Sequence, residues 1–404
     1  MKIFYAILIL FICFNAFAQQ KIATGLIKDA TTNEPIVYAS VGIKDSHIGT
    51  ISNEEGNFQI TVPNAAKEIM VSCVGYKTAA IAVSEFTSET KTIKLEPDEQ
   101  LLNEVVVSKT PIEKILEELI TTSRARFNKP IVLHTYYREF VKINGKYSKF
   151  SDGLLDYHIS GTTKKNKSDL IVKQSRAAQL FTEKELEDDE LIDFDTFLNV
   201  QKGITDNYDF TFLKKLLLDS HNYENYDLEI KSKKDRNGKE LFAIHFEPKP
   251  NSGGFYKGFI VYDPETKLIY DIDIDFPDVN RKFKERNFLI ARVTFMENTL
   301  RSGYKLTGNN YILAYSNSYK KLRITMKKRK YDKTIESKSD LVVTDLEKDD
   351  LSYQKALVYK ERDLYKSGNK FSDKFWLKNN SLVLTRDEEK IISDLEKTQK
   401  ATVQ

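Results

Sequence analysis

Residues 132–157 read VLHTYYREFVKINGKYSKFSDGLLDY, and their pattern decides the larger part of the fold. Two runs rich in β-branched and aromatic residues, 132–143 and 146–157, flank Asn144-Gly145. An Asn-Gly pair supplies the two positive-φ positions that a two-residue type I′ turn needs, so the stretch predicts a long antiparallel hairpin.

Moving outward, residues 226–231 and 240–247 around Asn237-Gly238 predict a second hairpin. Residues 255–262 and 268–276, joined across Asp263-Pro264-Glu265-Thr266, predict a third. Further strands are expected at 290–297, 311–318 and 322–329. Between the first two hairpins the sequence suggests a Glu/Asp-rich helix or loop, then a helix near 212–219. Consecutive hairpins with few helices predict one large curved antiparallel sheet over 131–348. Its architecture resembles the half-barrels of LolA-type lipoprotein carriers, an analogy of fold that says little about activity. The remainder, 349–404, is expected to be a less ordered tail with a short helix, capped by Thr385 to Glu388 and holding Ile391, Ile392 and Leu395.

Toward the N-terminus, Thr110-Pro111-Ile112-Glu113 predicts a capping box with proline at the first helical position. Ile112, Ile115, Leu116, Leu119, Ile120 and Phe127 form one apolar stripe, so a connecting amphipathic helix is expected within 108–130. From 19 to 107 the pattern changes to short strands broken by turns. Six are placed at 22–28, 37–43, 58–62, 69–74, 79–83 and 92–95, out of about seven strands expected in under ninety residues. That spacing predicts a compact β-sandwich. Val37, Ala39, Val41 and Ile43 should share one face.

Four blocks here carry a resemblance: Gly25-Leu26-Ile27-Lys28-Asp29, Glu34-Pro35-Ile36-Val37-Tyr38-Ala39-Ser40-Val41, Gly49-Thr50-Ile51-Ser52-Asn53-Glu54-Glu55-Gly56-Asn57-Phe58 and Val74-Gly75-Tyr76-Lys77. Their order resembles the carboxypeptidase regulatory-like domain, a transthyretin-like β-sandwich that also precedes the plug of TonB-dependent outer-membrane receptors. The resemblance implies a structural module with no active site of its own. Gly56 is expected to take a backbone conformation that side chains resist, and Gly75-Tyr76 to end a strand with an aromatic lid. Leu102-Asn103-Glu104-Val105-Val106-Val107 resembles the segment that follows this domain in those receptors. Fewer than 300 residues come after it, too few for a plug and a large barrel, so a terminal strand is the expectation.

Lys2, the apolar run 3–14 and Ala16-Phe17-Ala18 read as a secretory signal spanning 1–18, with Gln19 as the mature N-terminus. The run is too short to span a bilayer. Cys13 lies inside it, without the small preceding residues that lipidation would want. Cys73 is then the only cysteine, read as a small core residue. The 62 basic and 59 acidic residues nearly cancel, which argues against nucleic acid as a partner. With 24 Phe and 21 Tyr, the aromatic content suits extensive sheet.

Each chemical motif has a plainer explanation. His221-Asn222-Tyr223-Glu224 matches the paired ligands of zinc carboxypeptidases, but the one later histidine, His245, is only 24 positions on. Asp271, Asp273 and Asp275 alternate with Ile272, Ile274 and Phe276. Phe276 and Lys282 stand where a calcium loop needs glycine and glutamate, so a solvated sheet face is expected. Ser302-Gly303-Tyr304-Lys305, Tyr315-Ser316-Asn317 and Lys366-Ser367-Gly368 echo penicillin-binding motifs at spacings too close for that fold. The basic run 320–330 reads as a charged edge strand, with an anionic lipid or polysaccharide contact as the alternative. The sequence thus predicts a mainly β, α+β protein, exported to the periplasm or outer membrane, with no catalytic, cofactor-binding or metal residue assigned and no cofactor. The expected role is non-catalytic binding or structure, toward an envelope protein, glycan or lipid. A LolA-like carrier and a hydrolase of unfamiliar type are the alternatives.

Overall fold

The computed structural model describes residues 21–73, 75–97, 108–162, 165–179, 198–234, 240–252, 256–276, 284–287, 291–326, 331–349, 351–370 and 382–402. Residues 1–18, read as a signal, the 102–107 segment, the Glu/Asp-rich stretch 180–197 and the expected Asn237-Gly238 turn lie outside them. The protein is mainly β.

Seven strands build the sandwich: β1 (Lys21–Asp29), β2 (Ser40–Ile43), β3 (Gly49–Ile51), β4 (Asn57–Val62), β5 (Glu68–Ser72), β6 (Ala79–Ala82) and β7 (Lys91–Leu95). They form two sheets, ordered β4-β1-β7 and β3-β2-β5-β6. In β1 every second residue from Ala23 to Asp29 is buried, the period-2 signature of a strand lying on a core. Ile27, Val41, Phe58, Ile60, Ile69, Val71 and Ile93 fill that core. Gly56 takes φ +78°, and a Cβ there would lie 2.5 Å from the Ile27 carbonyl, so the turn requires glycine. Tyr76 closes the core from the side, its hydroxyl donating to Asp29 Oδ2 at 2.8 Å.

One boundary differs from expectation. The strand predicted at 37–43 begins only at Ser40, because Tyr38 sits at φ +54° and turns the chain. Ala39, Val41 and Ile43 stay in the sandwich core, whereas Val37 and Tyr38 pack against the second domain.

Helix α1 (Ile112–Arg126) buries Ile115, Leu116, Leu119 and Ile120, as its stripe predicts. The capping box does not form. Pro111 itself takes the N-cap position, and no side chain caps the helix.

The large sheet comprises β8 (Ile131–Ile143), β9 (Lys146–Gly161), β10 (Asn166–Gln179), β11 (Tyr226–Lys234), β12 (Glu240–Pro248), β13 (Lys257–Tyr262), β14 (Ile269–Asp275), β15 (Lys284–Asn287), β16 (Arg292–Thr307), β17 (Asn310–Met326) and β18 (Tyr331–Lys348). Its order is β10-β9-β8-β18-β17-β16-β14-β13-β12-β11, with β15 paired to β16. Every pairing is antiparallel. Asn144 and Gly145 both have positive φ, as the type I′ turn requires. Two expectations are corrected here. A strand, β10, follows the first hairpin directly, and the strands expected at 311–318 and 322–329 are one, β17.

Helices α1 and α2 (Val200–Tyr208) cover one face of the sheet. Phe127 stacks on Tyr208 at 3.8 Å and on Tyr311 at 4.7 Å between ring centroids. The sandwich covers the middle of the opposite face, where Tyr38 and Ile51 pack with Tyr136, Leu154, Val342 and Leu382. Beside it lies α3 (Arg386–Thr402), longer than the short helix expected, with Ile392 against Phe140, Phe150 and Ala178. The Thr385–Glu388 capping box does form: the Thr385 N–H donates to Glu388 and the Glu388 N–H to Thr385 Oγ1. The tail before it is tied down, with Val358 bridging to Ile171 and Lys370 to Ser175 along β10.

Candidate functional site

Strand register across the large sheet sets up a feature that no single segment announces. Arg176, Asp152, Arg138, Asp340, Asn317, Arg301, Asp273, Phe259, His245 and Glu229 are successive cross-strand partners over ten strands. Directly opposed residues share a face and stand about 5 Å apart, so this is one transverse row on the face that carries the sandwich. Cations and carboxylates alternate along most of it.

In the covered half, Arg138 is the centre. Its guanidinium is 0% exposed and donates from Nε to Asp340 Oδ2 at 2.6 Å and from Nη1 to Glu388 Oε2 at 2.8 Å. Lys338, from the neighbouring row, reaches Glu54 Oε1 at 2.8 Å and Glu388 Oε1 at 3.0 Å. Tyr38 OH donates to Glu54 Oε1 at 3.0 Å and accepts from Asn317 Nδ2 at 3.1 Å. Asn317 also donates to Asp340 Oδ1. At the end of the row Arg176 grips Asp152 with two bonds of 2.9 and 2.5 Å, and Tyr136 OH donates to the same carboxylate. The sandwich (Tyr38, Glu54), the sheet (Arg138, Asn317, Lys338, Asp340) and the C-terminal helix (Glu388) are thereby fastened at one point. Asn53 Nδ2 donating to the Val383 carbonyl, and the Arg386 N–H donating to Glu55, extend the clamp.

Burial pushes the Asp340 carboxyl up, but the Arg138 and Lys338 charges outweigh it and hold it below the ordinary range. Burial would depress Lys338, and Asp340 overcomes that and raises it. Tyr38 is raised by burial and by the neighbouring Asp340 and Glu54 charges, so it stays a neutral donor. Lys305 sits in the same seam and donates to the His47 carbonyl at 3.1 Å; burial pulls it down to about 8.

A cleft of about 200 Å3 opens where the seam meets solvent, between Tyr38 and Glu54 on one wall and Thr299, Arg301, Asn317 and Lys338 on the other. A wider groove of about 740 Å3 lies on the sandwich, lined by residues from Ile43 to Ser46 and from Pro63 to Glu68, where Lys44 and Glu68 bond each other at 2.5 Å.

The sequence motifs fall elsewhere. His221 and Glu224 are exposed in the turn before β11, while His245 lies on β12 opposite Glu229 and Phe259. Among the described residues no three His, Cys, Asp or Glu converge as a metal group. Asp271, Asp273 and Asp275 share one face of β14 while Ile272 and Ile274 are buried on the other, as their alternation implies. Ser302 and Lys305 lie on opposite faces of β16: Ser302 Oγ donates to Asn207 of α2 at 2.6 Å, while Lys305 faces the sandwich. The described part of the basic run, 320–326, belongs to β17, an interior strand, which corrects the edge-strand expectation there. Its charges are matched across strands instead, Lys321 to Glu297 at 3.2 Å and Arg323 to Asp332 at 2.6 Å. Sequence reasoning missed Tyr38, Arg138, Lys338, Asp340 and Glu388. The available signal was Arg138-Glu139 set between Tyr136-Tyr137 and Phe140, adjacent charges flanked by aromatic residues inside a strand.

Two likenesses between solved structures and this chain are remote. A DUF1329 family protein from Desulfovibrio piger is 11% identical, with 61% of this chain and 97% of that one covered at a TM-score of 0.27. A putative outer membrane lipoprotein-sorting protein domain from Vibrio parahaemolyticus is 13% identical, with 60% and 94% covered at 0.25. Likenesses of this size assign no function. The TonB-dependent receptor SusC of Bacteroides thetaiotaomicron is 37% identical over 98 residues, 24% of this chain. The matched part spans only 9% of the receptor's length. The family model described as the CarboxypepD_reg-like domain matches residues 23–107, the span of the seven-stranded sandwich and the source of Tyr38 and Glu54 in the clamp. Residues 23–107 of this chain are a CarboxypepD_reg-like domain.

Proposed function

We propose that this protein is a non-catalytic binding or structural component of the cell envelope, in which the sandwich is clamped to the large sheet as one unit. The observation that carries the reading is what the buried polar groups do. Arg138, Lys338, Asp340, Glu54 and Glu388 bond one another across four separate segments of chain. Groups arranged in this way fix an assembly, whereas a catalytic site aims at least one activated group at a space for substrate. The signal read in residues 1–18 and the receptor relative of the sandwich support an envelope location.

A lipid or lipoprotein carrier would need an apolar cavity open to solvent. The helix-covered face of the sheet holds Leu116, Phe127, Ile204, Tyr208, Leu217 and Tyr311 packed together, so α1 and α2 would have to leave before a lipid could enter. That filling favours the binding or structural role.

The test combines cell fractionation with assays on the purified protein. The chain is expected in the periplasmic or outer-membrane fraction, with no turnover of peptide, ester or glycoside panels. Turnover that disappears in Lys305→Met or Glu139→Gln, or retention in the cytoplasm, would overturn the reading.

A further inference from the structure

We infer that the cleft at the seam is a binding site for one net-neutral, hydroxyl-rich ring, the size of a single sugar residue. This rests on the binding role proposed above and names its place and ligand class. The seam joins two domains, a common location for ligand sites. Its floor comes from interior strands: Thr299 and Arg301 on β16, Asn317 on β17 and Lys338 on β18, held in fixed register. The sandwich contributes the opposite wall through Tyr38, which the positive φ of its backbone turns toward the sheet.

Size restricts the occupant. About 200 Å3 is the share of about six or seven liquid waters, which matches one substituted six-membered ring. Charge restricts it further. Arg301 is paired with Asp273 at 3.1 Å and Lys338 with Glu54 at 2.8 Å, so each formal charge in the cleft already faces its opposite. A ligand carrying net charge would meet a like charge on one wall as closely as an opposite one on the other.

Hydrogen-bonding capacity is left over on both walls. Among the described residues the Thr299 hydroxyl, Glu54 Oε2 and Arg301 Nη1 and Nη2 make no hydrogen bond, since Arg301 reaches Asp273 through Nε and Glu54 spends Oε1. Donors and an acceptor therefore stand opposite each other, as a ring bearing several hydroxyls requires. The half-buried Tyr319 ring adds apolar surface for the C–H face of such a ring, while the buried Tyr38 ring lies beneath the Arg301 guanidinium at 5.9 Å. Because the ligand would touch sandwich and sheet together, it would also brace the seam.

The experiment titrates the intact mature protein with glucose, galactose and N-acetylglucosamine as neutral rings, and with glucuronate and glucosamine as charged forms of the same ring. Glutamine serves as a zwitterion. Binding is followed by saturation-transfer NMR and calorimetry. At least one neutral ring is expected to bind saturably with Kd on the order of 1 mM, the range a ligand of about twelve heavy atoms reaches. The charged analogues should bind about tenfold more weakly. Thr299→Val, an isosteric change, and Arg301→Met should each weaken the neutral ring about fivefold or more while the melting temperature of the free protein changes little. Absence of saturable binding, equal binding of the charged rings, preference for glutamine, or indifference to both variants would overturn the site. Each would leave the non-catalytic reading standing. Chemical conversion of a bound ring, visible in the same spectra, would instead sink that reading.

Discussion

The two halves of the transverse row are built alike and protected differently. Both place alternating charges on directly opposed positions of one sheet face, Arg138 against Asp340 and Asp152 in one half, Arg301 against Asp273 in the other. In the covered half the Arg138 and Asp340 side chains are 0% and 1% exposed, under the sandwich and α3. In the open half the Arg301 and Asp273 side chains are 39% and 30% exposed. Geometry is therefore nearly constant along the row while the dielectric surroundings change. Where water is excluded, an unpaired charge is expensive and a paired one locks its neighbours in place. Where water enters, the same pair contributes little and its spare donors remain available.

The largest expected effect breaks the covered half. Arg138→Met should destabilise the protein by about 3–5 kcal/mol in urea unfolding, because two buried carboxylates, Asp340 and Glu388, are left with Lys338 as their one shared cation. Replacing all three with apolar residues of similar volume should recover much of that loss. A single variant costing no more than a surface substitution would mean that the clamp does not hold the domains.

A second effect of similar size sharpens the comparison by moving one residue along β8, to the opposite face. Among the described residues Glu139 pairs with no cation. It accepts hydrogen bonds from Ser151 Oγ, Tyr137 OH and the Leu364 N–H, and burial pushes its pKa from the ordinary 4.5 up to about 7. A folded pKa above the unfolded one means that the stabilising contribution is complete below about pH 4.5 and is lost as pH rises through 7. The loss should amount to about 3 kcal/mol. Asp340 runs the other way. Its folded pKa is lowered, so its contribution is present above the ordinary 3.8 and disappears as pH falls further. Unfolding free energy measured from pH 4.5 to 8 should decline in the native protein and flatten in Glu139→Gln.

A smaller effect tests how α3 is held. Thr385→Ala removes the hydroxyl that accepts from the Glu388 N–H, and it should cost about 1 kcal/mol. It also loosens the backbone that presents Glu388 to Arg138. Combined with Arg138→Met it should add less than its full separate cost, since both act through Glu388.

Much of this architecture is readable from local signals. Asn144-Gly145 fixes its hairpin through φ alone, the stripe from Ile115 to Ile120 fixes the buried side of α1, and Gly56 is required by one turn. The row is not readable in this way. Arg138, Asp340 and Glu388 lie 202 and 250 positions apart. Their alignment depends on bulges, such as those between Val141 and Lys142 and between Val343 and Asp345, each of which shifts which residues stand opposite. The basic run of β17 misleads for the same reason. Its charges suit an exposed edge until Glu297 and Asp332 arrive from the strands on either side. Tyr38 reads as a sandwich residue because its positive φ has no sequence marker.

The smallest expected effect concerns the open half and decides whether exposure or charge pattern sets the energetics. Asp273 is pushed up by burial and pulled back by Arg301, and its pair is about a third exposed. A pair in that setting is screened by water and by salt, so Asp273→Asn should change stability by about 0–1 kcal/mol, less at high ionic strength. The ratio to the Arg138→Met cost is the informative quantity, since both substitutions interrupt the same row on the same face. A ratio near one would mean that the alternating charges act as a continuous unit across the sheet. A severalfold smaller cost at Asp273 would mean that the cover supplied by the sandwich and α3 gives the row its strength, leaving the uncovered end soft enough to exchange partners with a ligand.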